Sequence, residues 1–129
     1  MDKKSVNKVI LIGNIGNAPQ IRYTPSGIPV TSFSLATNET WIDSDNKRHE
    51  RTEWHNIIAW NKLADFTTEY LHKGQLVYIE GKLQTRIYTD KEDIQRKITE
   101  VVSNVITPLE WKDNKEENKD GKSDKELPF

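Results

Sequence analysis

Residues 50–60 (ERTEWHNIIAW) constrain the fold more than any other stretch of this sequence. They are rich in β-branched and aromatic residues and contain neither Gly nor Pro, which predicts a single β-strand. Side chains alternate between the faces of a strand, so one face holds Trp54, Asn56, Ile58 and Trp60, and the other holds Glu53, His55, Ile57 and Ala59. Two tryptophans on one face either fill a core or form a platform for unpaired bases, where stacking contributes about 1–3 kcal/mol per base. Taken alone, the strand favours the core.

The segments around this strand predict a small closed barrel. Further strands are predicted over residues 5–15, 28–39, 75–88 and 95–106. Apolar residues at helical spacing predict a helix over 61–73, with Asn61 as its N-cap and Gly74 after its end. Gly81, inside a strand, predicts a bulge or a tight bend. The order β-β-β-α-β-β is all-β with one helix and is typical of the five-stranded OB-fold barrel, with an α+β sandwich as the competing architecture.

Composition sets limits on the class of protein. The chain has 129 residues, of which 34% are hydrophobic and 30% charged, enough for one domain with a small core. It contains no Cys, so disulfides and Cys-based metal sites are excluded, and a cytoplasmic location fits. We expect neither a signal peptide nor a membrane span, because no apolar run approaches the roughly 20 residues that a membrane helix needs.

The charge of the chain is unevenly distributed. Net charge is −1 overall, and residues 107–129 carry seven acids and five lysines, which leaves residues 1–106 at +1. Residues 112–126 hold no apolar side chain, which predicts a disordered C-terminal tail over 107–129 after a domain over 1–106. The tail ends in Leu-Pro-Phe, either an ordinary terminus or a short peptide that other proteins bind. Nucleic-acid binding by so neutral a domain would depend on where its charges and aromatics lie.

Several short motifs in one register carry a family resemblance. They are Val6–Asn14, Arg22-Tyr23, Leu35-Ala36-Thr37, Thr52-Glu53-Trp54-His55, Glu69-Tyr70-Leu71, Lys73-Gly74, Val77–Gly81 and Thr99–Val102. With them, the chain resembles the bacterial-type single-stranded DNA-binding protein family over residues 5–106, and the tail tip is similar as well. The resemblance implies a non-catalytic OB-fold barrel, a homotetramer, that wraps single-stranded DNA without sequence preference in replication, recombination and repair. It also implies a cytoplasmic, nucleoid-associated location.

The resemblance assigns base stacking to four aromatic residues: Trp41, Trp54, Trp60 and Tyr88. Phosphate contacts are expected from Lys8, Arg22, Lys47, Arg48, Lys62, Lys73, Lys82 and Arg86, each of which could also be an ordinary solvated side chain. Family members often have a basic residue at Asn56, Gln84 and Ile87, so we expect weaker electrostatics here. Phe is common where Trp60 stands and Trp where Tyr88 stands, and each replacement keeps a π-face.

Two further sets of residues are assigned by resemblance to protein contacts. The oligomer interface is expected at His55, Leu76, Tyr78 and Glu80, with the strand from Val6 to Ile12 as an unpaired edge suited to pairing between subunits. The tip that would recruit replication and repair proteins is Asp124, Glu126, Leu127, Pro128 and Phe129. It departs from the family in having Lys125 within a usually acidic run and Leu127 where Ile is commoner.

Two other classes of function compete with strand binding. A nuclease would need clustered carboxylates, or a His with a base and a metal, and Glu53 with His55 has no evident third partner. We therefore expect no catalytic residue, metal or cofactor. A primosome-type protein-interaction barrel would use the same fold without stacking bases, so oligonucleotide would leave its tryptophan fluorescence unchanged.

Overall fold

The computed structural model describes residues 4–110, which form six strands and one helix. The elements in chain order are β1 (Val9–Ile15), β2 (Gln20–Tyr23), β3 (Pro29–Ile42), β4 (Arg48–Trp60), α1 (Lys62–Tyr70), β5 (Leu76–Thr89) and β6 (Gln95–Pro108). The last strand continues past its predicted end at residue 106. Its extension is held by a hydrogen bond of 2.9 Å from the Leu109 N–H to the Leu76 carbonyl.

Five long strands close into a barrel. β1 pairs with β5, β5 with β6 and β3 with β4, all antiparallel, while β4 and β6 are parallel at Ile57↔Val101. The circle closes where β1 returns to β3, at Asn14↔Ala36 and Ile15↔Leu35. The short β2 continues along the same edge of β3. This closed order is that of the OB-fold, so the barrel prediction is confirmed and the α+β sandwich is wrong.

Alternating side chains on the strands fill the barrel. Leu35, Ile57, Ala59, Val77 and Ile79 are completely buried, and each comes from the inward face of its strand. The two tryptophans of β4 lie on the opposite face and are exposed. The division of β4 predicted from the sequence is therefore confirmed, and its tryptophans are outside the core.

The helix is shorter than the predicted one and begins differently. It spans Lys62–Tyr70, and Asn61 occupies the N-cap position without a side-chain capping bond. Asn61 instead adopts a left-handed φ of 60°, and its backbone carbonyl accepts hydrogen bonds from the N–H groups of Ala64 and Asp65. The chain is already extended at Leu71, so Gly74, with φ of 89°, belongs to the following turn.

Gly81 marks the bulge that the sequence predicted. The β5–β6 register shifts between Glu80 and Gly81, which leaves Asn104 of β6 without a direct partner. A Cβ at Gly81 would lie 2.3 Å from the Val102 carbonyl oxygen, so only glycine allows this approach. The bulge bends the sheet into the barrel, and beyond it β5 and β6 project as a hairpin.

The β3–β4 and β5–β6 hairpins turn in the same way. In each, one aspartate oxygen accepts the backbone N–H groups two and four residues later, at 2.8 and 2.9 Å for Asp43 and at 2.9 and 3.0 Å for Asp90. The second oxygen lies 2.8 Å from His49 in the first turn and from Arg96 in the second. These hydrogen bonds hold the pKa values of Asp43 and Asp90 below their usual range. The turn of each hairpin is thus held by hydrogen bonds to its own aspartate.

Candidate nucleic-acid interface

Three aromatic side chains share the outward face of the barrel. Alternation along β4 places Trp54 and Trp60 there, with exposed fractions of 58% and 41%. Tyr88, exposed by 40%, lies on the β5–β6 hairpin. Val102 of β6 joins these two regions. It pairs with Ile58 of β4 and with Lys82 of β5, and Lys82 lies on the same face of β5 as Tyr88. Three of the four predicted stacking residues therefore line one continuous surface.

Trp54 packs against small residues. A Cβ at Gly16 would lie 2.3 Å from Trp54 Cζ3 and 2.7 Å from Ser34 Oγ, and the cross-strand partner of Trp54 is Ala36. The indole is thus supported from below, while more than half of the side chain stays exposed. The sequence analysis did not single out Gly16. The sequence does signal support for Trp54 in another way: small residues, Ser32, Ser34 and Ala36, recur on one face of β3, opposite the large residues of β4.

Trp41 lies on the other face of its hairpin. The β3–β4 register runs without a break from Val30↔Trp60 to Ile42↔Arg48, so Trp41 falls on the face opposite Trp54. Its ring stacks on its cross-strand partner His49, with centroids 5.3 Å apart and planes 18° apart. The structure therefore does not group Trp41 with the other three aromatic residues.

A groove of about 390 Å³ runs between β2, β3, β4 and the β5–β6 hairpin. One wall carries Arg86, whose Nε and Nη2 donate to the two carboxylate oxygens of Glu100, both at 3.0 Å. This hydrogen bonding raises the pKa of Arg86, and the guanidinium carbon lies 5.8 Å from the centre of the Tyr88 ring. Glu100 is only 5% exposed. Sequence reasoning missed this buried carboxylate, which offsets the charge of a predicted phosphate ligand.

The eight predicted phosphate ligands are spread over four regions. Four lie on or beside the outward face: Arg22 and Arg86 in the groove, Lys82 on β5, and Lys62 in a hollow beside Trp60. Lys47 and Arg48 lie at the β3–β4 turn, where Arg48 borders Trp41. Lys73 follows α1, and Lys8 pairs with Glu80 on another side of the barrel. Within residues 4–110, Arg22, Lys62 and Lys82 form no ion pair, so their charges are free to meet phosphate.

A second exposed face is formed by β1 and β5. Ile10 and Ile12, exposed by 57% and 53%, lie opposite Glu80 and Tyr78. Glu80 accepts hydrogen bonds of 2.9 Å from Lys8 Nζ and from the Tyr78 hydroxyl, and these hold its pKa below the usual range. The same contacts raise the pKa values of Lys8 and Tyr78.

The remaining predicted contact residues fall in different places. Leu76 is half-buried at the start of β5, and Tyr78 and Glu80 follow on the same face of that strand. His55 lies apart on β4, with Nε2 3.0 Å from Thr37 Oγ1. In the described part of the chain, β1 from Val9 to Gly13 has no ladder partner on its second edge. The tip residues 124–129 lie outside the described residues.

Glu53, the carboxylate that was weighed as a catalytic group, is part of an ion pair. Glu53 is engaged by Arg51 at 2.8 Å, which lowers the pKa of this carboxylate. Residues 4–110 contain no group of three or more His, Cys, Asp or Glu side chains able to hold a metal ion. Over the same range, the one helix is too short to cross a bilayer.

Comparisons with known proteins agree with this geometry. The sequence model of the Single-strand binding protein family matches residues 6–109. Proteins named single-stranded DNA-binding protein from Neisseria meningitidis serogroups A and B are each 50% identical over 105 residues, or 81% of this chain. The chain spans 60% of the length of these curated relatives.

Two solved structures share the fold. The Plasmodium falciparum SSB in complex with ssDNA is 36% identical, with a TM-score of 0.75 over 85% of this chain and 100% of that one. A deletion mutant of the single-stranded DNA binding protein from Thermus aquaticus is 30% identical, with a TM-score of 0.72 over 81% of this chain and 51% of that one.

Proposed function

The chain belongs to the single-strand binding protein family, and on that premise we propose that it binds single-stranded DNA on its outward face, without sequence preference. The observation that carries the proposal is the placement of Trp54, Trp60 and Tyr88, all exposed, on one continuous surface. Proteins of this family are non-catalytic, so the chain acts by binding alone.

Binding combines stacking with phosphate neutralisation. Bases stack on the aromatic rings, and every base has a π-face, so this contact tolerates any sequence. Arg22, Lys62 and Lys82 neutralise phosphates and release counterions, which makes affinity fall as salt rises. Arg86 contributes less charge because Glu100 already pairs with it. The Arg86–Glu100 pair is the observation that supports weak electrostatics at this face.

The β1–β5 face supports assembly into a homotetramer. Ile10 and Ile12 expose apolar surface that a second subunit would cover, and the unpaired edge of β1 offers backbone groups for a shared sheet. The Lys8–Glu80 pair neutralises its own charge, which reduces the cost of burying this face. His55, on another element, would contribute to a separate part of the assembly.

The wider role is proposed from the sequence alone. The bound strand is protected during replication, recombination and repair in the cytoplasm, at the nucleoid. Replication and repair proteins are recruited through Asp124, Glu126 and Leu127–Phe129. Deleting residues 124–129 should leave oligonucleotide affinity intact and abolish capture of these proteins on immobilised strand; retained capture would overturn this role.

Tryptophan fluorescence during titration with oligo-dT, at low and at high salt, tests strand binding. Deep quenching that partly survives high salt is the expected result, because stacking depends less on salt than phosphate contacts do. Duplex DNA of the same length is the control and should quench much less. Unchanged fluorescence at low salt would overturn the proposal and favour the protein-interaction barrel.

A further inference from the structure

The groove beside Trp54 has the dimensions of a site for one nucleotide. Its volume is about 390 Å³, near the lower end of the 300–1,000 Å³ typical of small-ligand pockets. Ser34 lines it, and a Cβ at Gly16 would meet both Ser34 Oγ and the Trp54 ring; Arg86, whose guanidinium lies 5.8 Å from the centre of the Tyr88 ring, lines the other wall. Residues that line the groove are therefore near two of the exposed aromatic side chains, Trp54 and Tyr88.

The wall of the groove formed by Arg86 and Glu100 does not suit a phosphate group. Arg86 is held by both oxygens of Glu100, so one cation and one anion cancel within the wall. Arg22 then remains as the one cation lining the groove that has no ion pair within residues 4–110. A buried carboxylate also disfavours an entering anion. The group that fits against this wall is polar and uncharged, as a nucleobase is, whereas Arg22 is left to contact a phosphate.

The floor of the groove presents amide groups with unused hydrogen-bonding capacity. Gln20 lies directly opposite Ser32, and Asn56 lies directly opposite Ser34, so both amides belong to the outward face. Within residues 4–110 neither side-chain amide makes a hydrogen bond, and both residues are exposed. Asn17, by contrast, is occupied: its oxygen accepts from the Ser34 N–H at 2.9 Å and lies 2.6 Å from Ser34 Oγ.

We propose that this groove is a nucleobase pocket, in which the amides of Asn56 and Gln20 hydrogen-bond the Watson–Crick edge of a base stacked beside Trp54. The inference rests on the proposed function and adds to it a contact that is neither stacking nor charge. Proteins read unstacked bases in single strands through such edges.

This contact is compatible with binding any sequence. A carboxamide carries one acceptor and one NH₂ donor, and every base edge presents a donor beside an acceptor. Because an exposed amide can turn over about its last torsion, the same side chain meets either order of donor and acceptor. The pocket therefore recognises the presence of a free base edge rather than one base.

Fluorescence anisotropy with two oligonucleotides tests the pocket. One is labelled oligo-dT of about 16 nucleotides, the upper end of the usual site size per OB-fold, and the other is the same strand built from N3-methylthymidine. The methyl group removes the edge donor and leaves the charge and the π-face in place. We expect wild type to bind oligo-dT about tenfold more tightly, within the discrimination that an amide–base pair supplies.

Variants assign this discrimination to the amides. Asn56→Ala combined with Gln20→Ala should reduce the affinity ratio to near one, while the double variant still binds both strands. Asn104→Ala removes an exposed amide outside the groove lining and should keep the wild-type ratio. A wild-type ratio near one, or an unchanged ratio in the double variant, would overturn the pocket alone. Failure of wild type to bind oligo-dT would instead overturn the proposed function, and the pocket with it.

Discussion

The outward face and the β1–β5 face both expose apolar side chains, but they differ in the kind of side chain and in the state of their charges. The outward face presents Trp54, Trp60 and Tyr88 together with Arg22, Lys62 and Lys82, which have no acidic partner within residues 4–110. The β1–β5 face presents Ile10, Ile12 and an ion pair that satisfies itself.

This difference indicates what each face can bind. Flat rings and free cations suit a flexible polyanion with stacked bases, whose own charges supply the missing partners. Branched aliphatic side chains, a neutralised ion pair and a β1 edge that has no strand partner within residues 4–110 suit another folded protein surface. One small barrel can therefore separate strand binding from assembly, and substitutions on one face should leave the other function intact.

The largest effect is expected from a charge on the β1–β5 face. Ile12→Glu would place a carboxylate in the proposed subunit contact, where an uncompensated buried charge costs about 3–5 kcal/mol. Light scattering after size-exclusion chromatography should show the loss of the tetramer, with the circular dichroism of the barrel unchanged. Ile87→Glu, at a residue exposed by 60% on the β5–β6 hairpin, is the matched control. An unchanged mass for Ile12→Glu would show that this face does not assemble the protein.

The next effect separates the tryptophans. Trp54→Ala should weaken binding of oligo-dT by about 1–3 kcal/mol, roughly 5- to 150-fold, because it removes a supported stacking surface. Trp41→Ala should cost less than fivefold, since that ring already stacks on His49 and faces away. Anisotropy titration measures both, and each variant should keep the wild-type mass. An equal or larger loss for Trp41→Ala would mean that the hairpin rearranges when the strand binds.

Much of this architecture could be predicted from the sequence because it depends on local rules. Alternation along one regular strand was enough to put Trp54 and Trp60 on a common face, and the closed OB-fold order followed from the sequence of elements. Gly81 allowed the bulge to be predicted, because no residue with a Cβ fits so close to the backbone of Val102. The predicted role of the aromatic side chains depended further on family resemblance, because exposure of a tryptophan is not a local property.

The missed features depend on contacts between residues distant in sequence. Arg86 is neutralised by Glu100 on the neighbouring strand, and Lys8 by Glu80 across the β1–β5 pair. Base stacking was assigned to Trp41 by family resemblance, whereas the face on which Trp41 lies is fixed by the register of the whole β3–β4 hairpin. Ion pairing and long-range register both require the assembled sheet, so the sequence alone does not show which of the eight predicted phosphate ligands already have an acidic partner.

A smaller effect distinguishes free cations from paired ones. Log affinity falls linearly with log salt, and Arg22→Ala should make this decline shallower by about 0.7. This is the change expected when one phosphate contact to a single strand is lost. Lys8→Ala should leave the slope unchanged, because its charge is paired with Glu80 on the other face. Titrations at several salt concentrations measure both slopes. Equal decreases in the two variants would mean that the strand reaches the β1–β5 face.

The smallest effect is a pH dependence of stability on the β1–β5 face. The folded state lowers the pKa of Glu80 below its ordinary 4.5 through hydrogen bonds from Lys8 and Tyr78, so its contribution is complete above that value and is lost as pH falls through the lowered pKa. Denaturant unfolding of wild type and Glu80→Gln should therefore differ at about pH 6 and converge towards about pH 3. Adding Lys8→Met to Glu80→Gln should cause little further change at either pH. The expected difference is small because Lys8, the partner of Glu80, is more than half exposed to solvent. A stability gap that stays constant across this range would show that Glu80 acts through packing rather than through its charge.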